Sequence, residues 1–422
     1  MPIQIRTVIV FGDSLSDIGK KVKENMGAYA RRAGKMTVSP TGRFSDCRNW
    51  TDFMFEAAGG DSLVVDDAGE SIKKSEVYTT LTEESWALGK SDPKSFRYAN
   101  YAVGGACGDT PHTMTYALGT FKDQVDEFEK DSKKFGELGS TLIIIWFGAN
   151  DLYTAERPPA QMGAVATVIA GDQRARLLEI LKKLNVLEYR FIFVDLARPL
   201  TSVRYQMRLE KAKTALINAV QPDMEGYGPL PGNPPPKRYE RLGLLGPLVQ
   251  AARENEWAAA ELSALNKQLE EIEGLETGVR LFNATLNKVA AKNGDRVVQM
   301  GTWLAEEQIR ALVRSNYQHG AQPGNAKHIS SQQYDLLKKD KEFATHLTTV
   351  DQAHPTDEMY RLIWLKIYED IQAAGCTFGN LTGVPTQQVG QRFTTESKGA
   401  IADEELMAKF AKEGKPLPSF VK

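Results

Sequence analysis

Residues 5–19, IRTVIVFGDSLSDIG, decide the fold. The apolar run Thr7-Val8-Ile9-Val10-Phe11 is too short for a buried helix and rich in β-branched residues, so it reads as a fully buried strand. Gly12-Asp13-Ser14 ends the run, and the glycine permits a tight turn. Ser16 and Asp17, just beyond, are residue types that cap helix N-termini. Ser14 is therefore expected at the carboxyl end of a strand and near the start of a helix. In an open α/β sheet that edge is where ligands bind, and a helix N-terminus there favours negative charge. Taken alone, Gly12-Asp13-Ser14 reads equally well as a plain turn. A serine nucleophile needs partners elsewhere in the chain.

Working outward, the strand-then-glycine pattern recurs. Residues 96–103 (FRYANYAV) read as a strand that stops at Gly104-Gly105, and 142–147 (LIIIWF), the clearest buried strand, stop at Gly148-Ala149-Asn150-Asp151. Residues 191–194 (FIFV) and 296–300 (RVVQM) read as a fourth and a fifth strand. Helical patterns lie between and around them, at 50–58, 121–135, 165–184 and 303–314. A longer one covers 254–293, with a break expected near Gly274. Residues 355–373 read as an amphipathic helix with Pro355 in its first turn. Strands alternating with helices imply a parallel sheet covered on both faces. The segment 226–237, GYGPLPGNPPPK, is too rich in Pro and Gly for regular structure. It marks an insertion at about 200–250, read either as a surface crossing that shapes the mouth of a site or as a disordered loop. The expected organisation is one α/β domain over 1–375 carrying that insertion. A C-terminal extension, 376–422, either packs on it or is partly disordered.

Composition excludes several classes. The 422 residues are 42% hydrophobic and 25% charged with a formal net charge of −2, as in ordinary globular proteins. No Lys/Arg block points to a nucleic-acid partner. The longest apolar run, 142–147, is far too short to cross a bilayer, so no transmembrane segment is expected. The first strand begins almost at Met1, which leaves no room for a secretion leader. The chain is accordingly expected in the cytosol, as a mature form, or exported by a leaderless route. Cys47, Cys107 and Cys376 are odd in number and widely spaced, with no metal spacing or disulfide framework. They are expected to be reduced and structural.

A serine hydroxyl needs a base, and the base needs an orienting partner. The histidines are His112, His319, His328, His346 and His354. His354 lies in Asp351-Gln352-Ala353-His354-Pro355-Thr356, where a short turn can fold the carboxylate back onto the imidazole. Asp351 reads as readily as the cap of the following helix, with His354 an exposed loop residue. For the developing oxyanion, the glycine turn at Gly105 offers a backbone N–H, Asn150 a side-chain amide and Ser14 its own N–H. Gly105 and Asn150 also read as ordinary turn or cap residues. Phe44, Trp50, Phe53 and Phe55 either line an apolar acyl groove or belong to the core.

Four blocks in order carry a resemblance: Phe11-Gly12-Asp13-Ser14-Leu15-Ser16-Asp17, Asn100-Tyr101-Ala102-Val103-Gly104-Gly105-Ala106, Gly148-Ala149-Asn150-Asp151 and Asp351-Gln352-Ala353-His354-Pro355-Thr356. Together they resemble the GDSL, or SGNH, hydrolases. The resemblance implies a flavodoxin-like three-layer α/β/α sandwich with about five parallel strands. It implies Ser14 as nucleophile, His354 as base and Asp351 as orienting acid. Ser14, Gly105 and Asn150 become the oxyanion donors, and neither a metal nor an organic cofactor is needed. Thr41-Gly42-Arg43-Phe44-Ser45 and Ser16-Asp17-Ile18-Gly19 look most like the branch of bacterial lipases, haemolysins and glycerophospholipid:cholesterol acyltransferases. Leu281-Phe282-Asn283 followed by Leu286 is similar to a helix before the last strand in that branch. The expected activity is a serine esterase or lipase acting on a small-molecule or lipid ester, with water or an alcohol as acceptor. Transient contact with a membrane surface is compatible with such a substrate. A carbohydrate acetylesterase and an inactive binding protein on the same fold are the alternatives, and the oligomeric state is open.

Overall fold

Two strands open the chain, β1 (Ile3–Ile5) and β2 (Thr7–Gly12), and all six residues of β2 are buried. There follow, in chain order, α1 (Lys20–Lys23), α2 (Trp50–Ala57), β3 (Arg97–Asn100), α3 (Phe121–Ser132), β4 (Thr141–Trp146) and α4 (Ala149–Tyr153). Next come α5 (Met162–Thr167), a π-helical turn (Val168–Gln173), α6 (Arg174–Lys183), β5 (Tyr189–Val194) and α7 (Ala259–Lys292). The series ends with β6 (Arg296–Val298), α8 (Met300–Trp303), α9 (Asp357–Ala373) and β7 (Cys376–Phe378). This computed structural model describes residues 2–23, 43–45, 48–57, 97–109, 119–133, 137–202, 259–305, 353–355 and 357–378, with scattered positions between 204 and 216. The chain divides into two compact units, Met1–Leu196 with Gly278–Lys422, and Ala197–Thr277.

The first unit is built on a five-stranded sheet in the order β3-β2-β4-β5-β6, every neighbouring pair parallel. Numbered among themselves these strands run 2-1-3-4-5, the flavodoxin-like doubly wound order. Successive strand residues point to opposite faces, and both faces are covered. Val8, Val10, Leu142, Ile144, Trp146, Ile192 and Val194 share one core with Trp50 and Phe53 of α2 and with Ile363, Trp364 and Ile367 of α9. On the other face Phe11 packs against Phe121 and Phe128 of α3. The result is the expected three-layer α/β/α sandwich with five parallel strands. Strands buried on both sides need near-continuous apolar sequence, which is why LIIIW was so legible. β1 joins a separate two-stranded parallel sheet with β7, pairing Ile3 with Cys376 and Ile5 with Phe378.

Two local expectations differ from the structure. The break near Gly274 is absent, and α7 runs unbroken through it. Buried Leu262, Leu265, Leu269, Ile272, Val279, Phe282, Leu286 and Ala290 are spaced by three, four or, across that point, seven residues, which keeps them on one helix face. Burial of that stripe outweighs the roughly 1 kcal/mol that a mid-helix glycine costs. Of the helix expected over 303–314, residues 306–314 lie outside the described residues, and α8 covers Met300–Trp303. Its start is held by Asp195, whose Oδ1 accepts the Gly301 N–H at 2.8 Å. The pattern over 165–184 contains the π turn at Val168–Gln173 rather than a uniform α-helix, a one-turn widening that side-chain periodicity does not reveal.

The second unit has its own buried residues, among them Tyr205, Leu209, Leu216 and Leu265, and the ion pairs Arg198–Glu276 and Arg208–Glu271. The Pro/Gly-rich segment 226–237 lies outside the described residues. Among the described residues no helix is long and apolar enough to cross a membrane.

Candidate active site

β2 and β4 are neighbours from which the sheet grows in opposite directions, toward β3 on one side and toward β5 and β6 on the other. The crevice outside the carboxyl ends of such a pair is the ligand site of doubly wound sheets. Ser14 lies just beyond β2, Gly105 beyond β3 and Asn150 beyond β4. Three strand ends thus bring the expected nucleophile and donors to one rim.

The turn that carries Ser14, the expected nucleophile, is locked from inside. The Gly12 N–H donates to Gln124 Oε1 at 3.1 Å, and Gln124 Nε2 donates back to the Gly12 carbonyl at 2.7 Å. Leu15 N–H donates to Asp13 Oδ1 at 3.0 Å, and Ser16 N–H to the Asp13 carbonyl at 3.1 Å. Ser14 is left only 9% exposed.

His354 lies in the turn that precedes α9, and its Nε2 stands 2.8 Å from Ser14 Oγ. The two residues are 340 apart in the chain. The imidazole is buried, so the reading of His354 as an exposed loop residue is set aside. Asp351 lies outside the described residues. Cys107 and Cys376 are free and buried, while Cys47 is outside the described residues. Phe44, Trp50, Phe53 and Phe55 are all buried, which places them in the core and removes them as walls of an open acyl groove.

The turn that carries Gly105, an expected oxyanion donor, is held by two carboxylates. Asp17 is the helix cap that its position suggests, and its Oδ1 accepts the Gly19 and Lys20 N–H groups. Its Oδ2 also accepts the Gly104 N–H at 2.7 Å, tying the nucleophile turn to the turn that carries Gly105. From the other side Asp151 accepts the Gly108 N–H at 2.6 Å and the Asp109 N–H at 3.0 Å. Gly105 itself has a φ of 81°, in the left-handed region that glycine tolerates best. Among the described residues neither the Gly105 N–H nor the Ser14 N–H finds an acceptor, so both can donate to a ligand.

Asn150 differs. Its Nδ2 faces the Ala106 carbonyl at 3.1 Å and Asp13 Oδ2 at 3.3 Å, and its Oδ1 accepts from the Thr154 hydroxyl at 2.9 Å. The amide nitrogen is turned toward the Gly105 loop, but a new acceptor must displace one existing partner. The bond to Asp13 is the longer of the two. The motif Leu281-Phe282-Asn283 also finds its place here. The Phe282 ring fills the space where a side chain on Gly148 would stand, 2.7 Å from such a Cβ. Asn283 exchanges two hydrogen bonds of 2.9 Å with the Leu196 backbone.

Burial dominates the electrostatics. It pushes the Asp13 carboxyl up to about 7, against the Leu15 N–H and the charge of His354, with the Asp151 charge adding to the rise. Burial likewise raises Asp17 against its four backbone donors. It raises the Cys107 thiol too, helped by the charges of Asp151 and Asp13, so Cys107 stays a thiol and does not compete as a nucleophile.

A base within hydrogen-bond reach of a serine hydroxyl, beside two unengaged N–H groups at one sheet edge, is the geometry of acyl transfer. A family model described as GDSL-like Lipase/Acylhydrolase matches residues 8–367. No curated protein matches the chain.

Proposed function

Because the chain belongs to the GDSL-like lipase/acylhydrolase family, we propose that it is a serine esterase that cleaves carboxylic esters through an acyl-enzyme on Ser14. The observation that carries this reading is the 2.8 Å approach of His354 Nε2 to Ser14 Oγ. His354 takes the Ser14 proton as Oγ attacks the ester carbonyl carbon. The Ser14 and Gly105 N–H groups, with the Asn150 amide swung from Asp13, receive the oxyanion. As the tetrahedral intermediate collapses, His354 gives its proton to the departing alkoxide. Water then repeats the sequence on the acyl-enzyme, and an alcohol in its place completes acyl transfer. Asp351 is assigned to hold the imidazole tautomer and to stabilise the imidazolium. By its likeness to the bacterial lipase and acyltransferase branch, Thr41-Gly42-Arg43-Phe44-Ser45 favours a lipid acyl donor over an acetylated sugar.

A fluorophosphonate tests the assignment, because it traps an activated serine covalently. The expected result is a single adduct on Ser14, absent in Ser14→Ala. That variant should lose something approaching a millionfold in turnover, as serine-triad knockouts do. Retained hydrolysis of p-nitrophenyl esters by Ser14→Ala, or no adduct on folded wild-type protein, would overturn the reading. A chain-length series of those esters beside a phospholipid then separates the substrate classes, and a steep preference for acetyl counts against the lipid donor.

A further inference from the structure

Arg43 and Phe44 have no part in the chemistry above, yet both are buried beside it. The Phe44 ring is 2% exposed and tilted 31° to the His354 imidazole, with the ring centres 5.2 Å apart. The same ring also lies against Gly104: a Cβ there would stand 2.4 Å from Phe44 Cε2 and 2.5 Å from Cζ. The backbone behind the ring is fixed. The Arg43 guanidinium forks onto Asp52 with bonds of 2.7 and 3.0 Å and donates to the Ile18 carbonyl at 2.9 Å. The Phe44 carbonyl accepts from the Tyr360 hydroxyl at 3.3 Å, and Tyr360 sits on α9, the helix that His354 precedes.

We propose that Phe44 is a positioning residue: its ring is a wedge that sets the His354 imidazole and the Gly104-Gly105 turn at a fixed separation. The proposal rests on the reading of His354 as the base and Gly105 as an oxyanion donor. The two parts come from distant loops, and the Phe44 ring packs against both. A flat, inflexible ring in contact with both links them by packing. Gly104 is required because any side chain would occupy the ring's place. Arg43 is required because a buried fork holds the segment in register.

The test compares Phe44→Leu with Phe53→Leu. Phe53 is also fully buried but belongs to the core between the sheet, α2 and α9. Both variants lose ring volume and should melt lower. With a p-nitrophenyl ester, well below either melting temperature, Phe53→Leu should keep kcat within about twofold. Phe44→Leu should lose roughly tenfold or more in kcat with KM little changed, as expected when a catalytic group is misplaced by a fraction of an ångström. Diethyl pyrocarbonate supplies a readout that needs no activity: carbethoxylation of His354, mapped by peptide mass, should be several-fold faster in Phe44→Leu than in wild type or Phe53→Leu. Wild-type kcat in Phe44→Leu, or equal carbethoxylation in all three proteins, would overturn the proposal. If wild type forms no fluorophosphonate adduct, the esterase reading falls, while the carbethoxylation contrast still decides whether Phe44 covers the imidazole. If Phe44→Leu does not fold, Gly104→Ala displaces the same ring from the glycine turn and should show the same pair of signatures.

Discussion

At the residue scale, the Thr154 hydroxyl donates to Asn150 Oδ1 at 2.9 Å. An amide offers two chemically opposite ends, and only its nitrogen can serve an oxyanion. Two acceptors, the Ala106 carbonyl and the Asp13 carboxyl, hold the nitrogen end, and Thr154 holds the oxygen end. Thr154→Val keeps the shape and removes the donor. It should lower kcat about three- to tenfold, short of the hundredfold or more that loss of a whole oxyanion donor costs, and leave KM nearly unchanged. Thr154→Ser should restore the rate. An unchanged kcat in the valine variant would mean that the two acceptors suffice. The spacing of 150 and 154 is that of neighbours on one helix face, so this pair was readable from the chain once a helix at α4 was assumed. The three aspartates of the strand-end blocks were not readable in the same way. Asp13, Asp17 and Asp151 look alike in sequence, each beside a glycine turn. Only the fold shows that Asp17 and Asp151 grip the Gly105 loop from opposite sides while Asp13 touches Asn150.

At the scale of elements, the segment 43–45 is tied to α2 by the Arg43–Asp52 pair, with side chains only 1% and 6% exposed. Breaking a buried pair leaves one charge without its partner. Asp52→Ala should therefore cost about 3–5 kcal/mol in urea unfolding. Replacing both residues with apolar ones, Arg43→Met with Asp52→Leu, should recover part of that loss. A cost below about 1 kcal/mol for the single change would mean that water screens the pair as it screens surface pairs. Elements defined by strong periodicity were legible: the strands at β2, β4 and β5 and the helices at α3 and α9 match their apolar patterns closely. Those decided by local chemistry were not. Helix α7 passes Gly274 because its apolar stripe does. Helix α8 begins where Asp195 offers an acceptor, and the carboxylate comes from the end of another strand, β5.

At the scale of the whole chain, β1 and β7 pair across nearly its full length, with Ile5 opposite Phe378 and both side chains buried. Ile5→Ala and Phe378→Ala should each cost about 2–5 kcal/mol, the usual range for truncating a large buried side chain. Because they face one another, the double variant should lose less than the sum, by about 0.5 kcal/mol or more. Strict additivity in urea unfolding would show that the two residues stabilise separate regions.

The sequence by itself determined the parallel α/β plan and the three strand-end blocks at Gly12, Gly104 and Gly148, since both depend on order along the chain: apolar runs of strand length, each followed by glycine. Tertiary structure alone decided the strand order, the pairing of β1 with β7 and the 2.8 Å meeting of Ser14 with His354 across 340 residues. It also decided that Phe44 belongs against the imidazole rather than in an open groove. Periodicity records which side of an element is buried, but not which distant side chain buries it. That depends on the packing of the sheet's two covering layers, where contact is made without regard to separation in sequence.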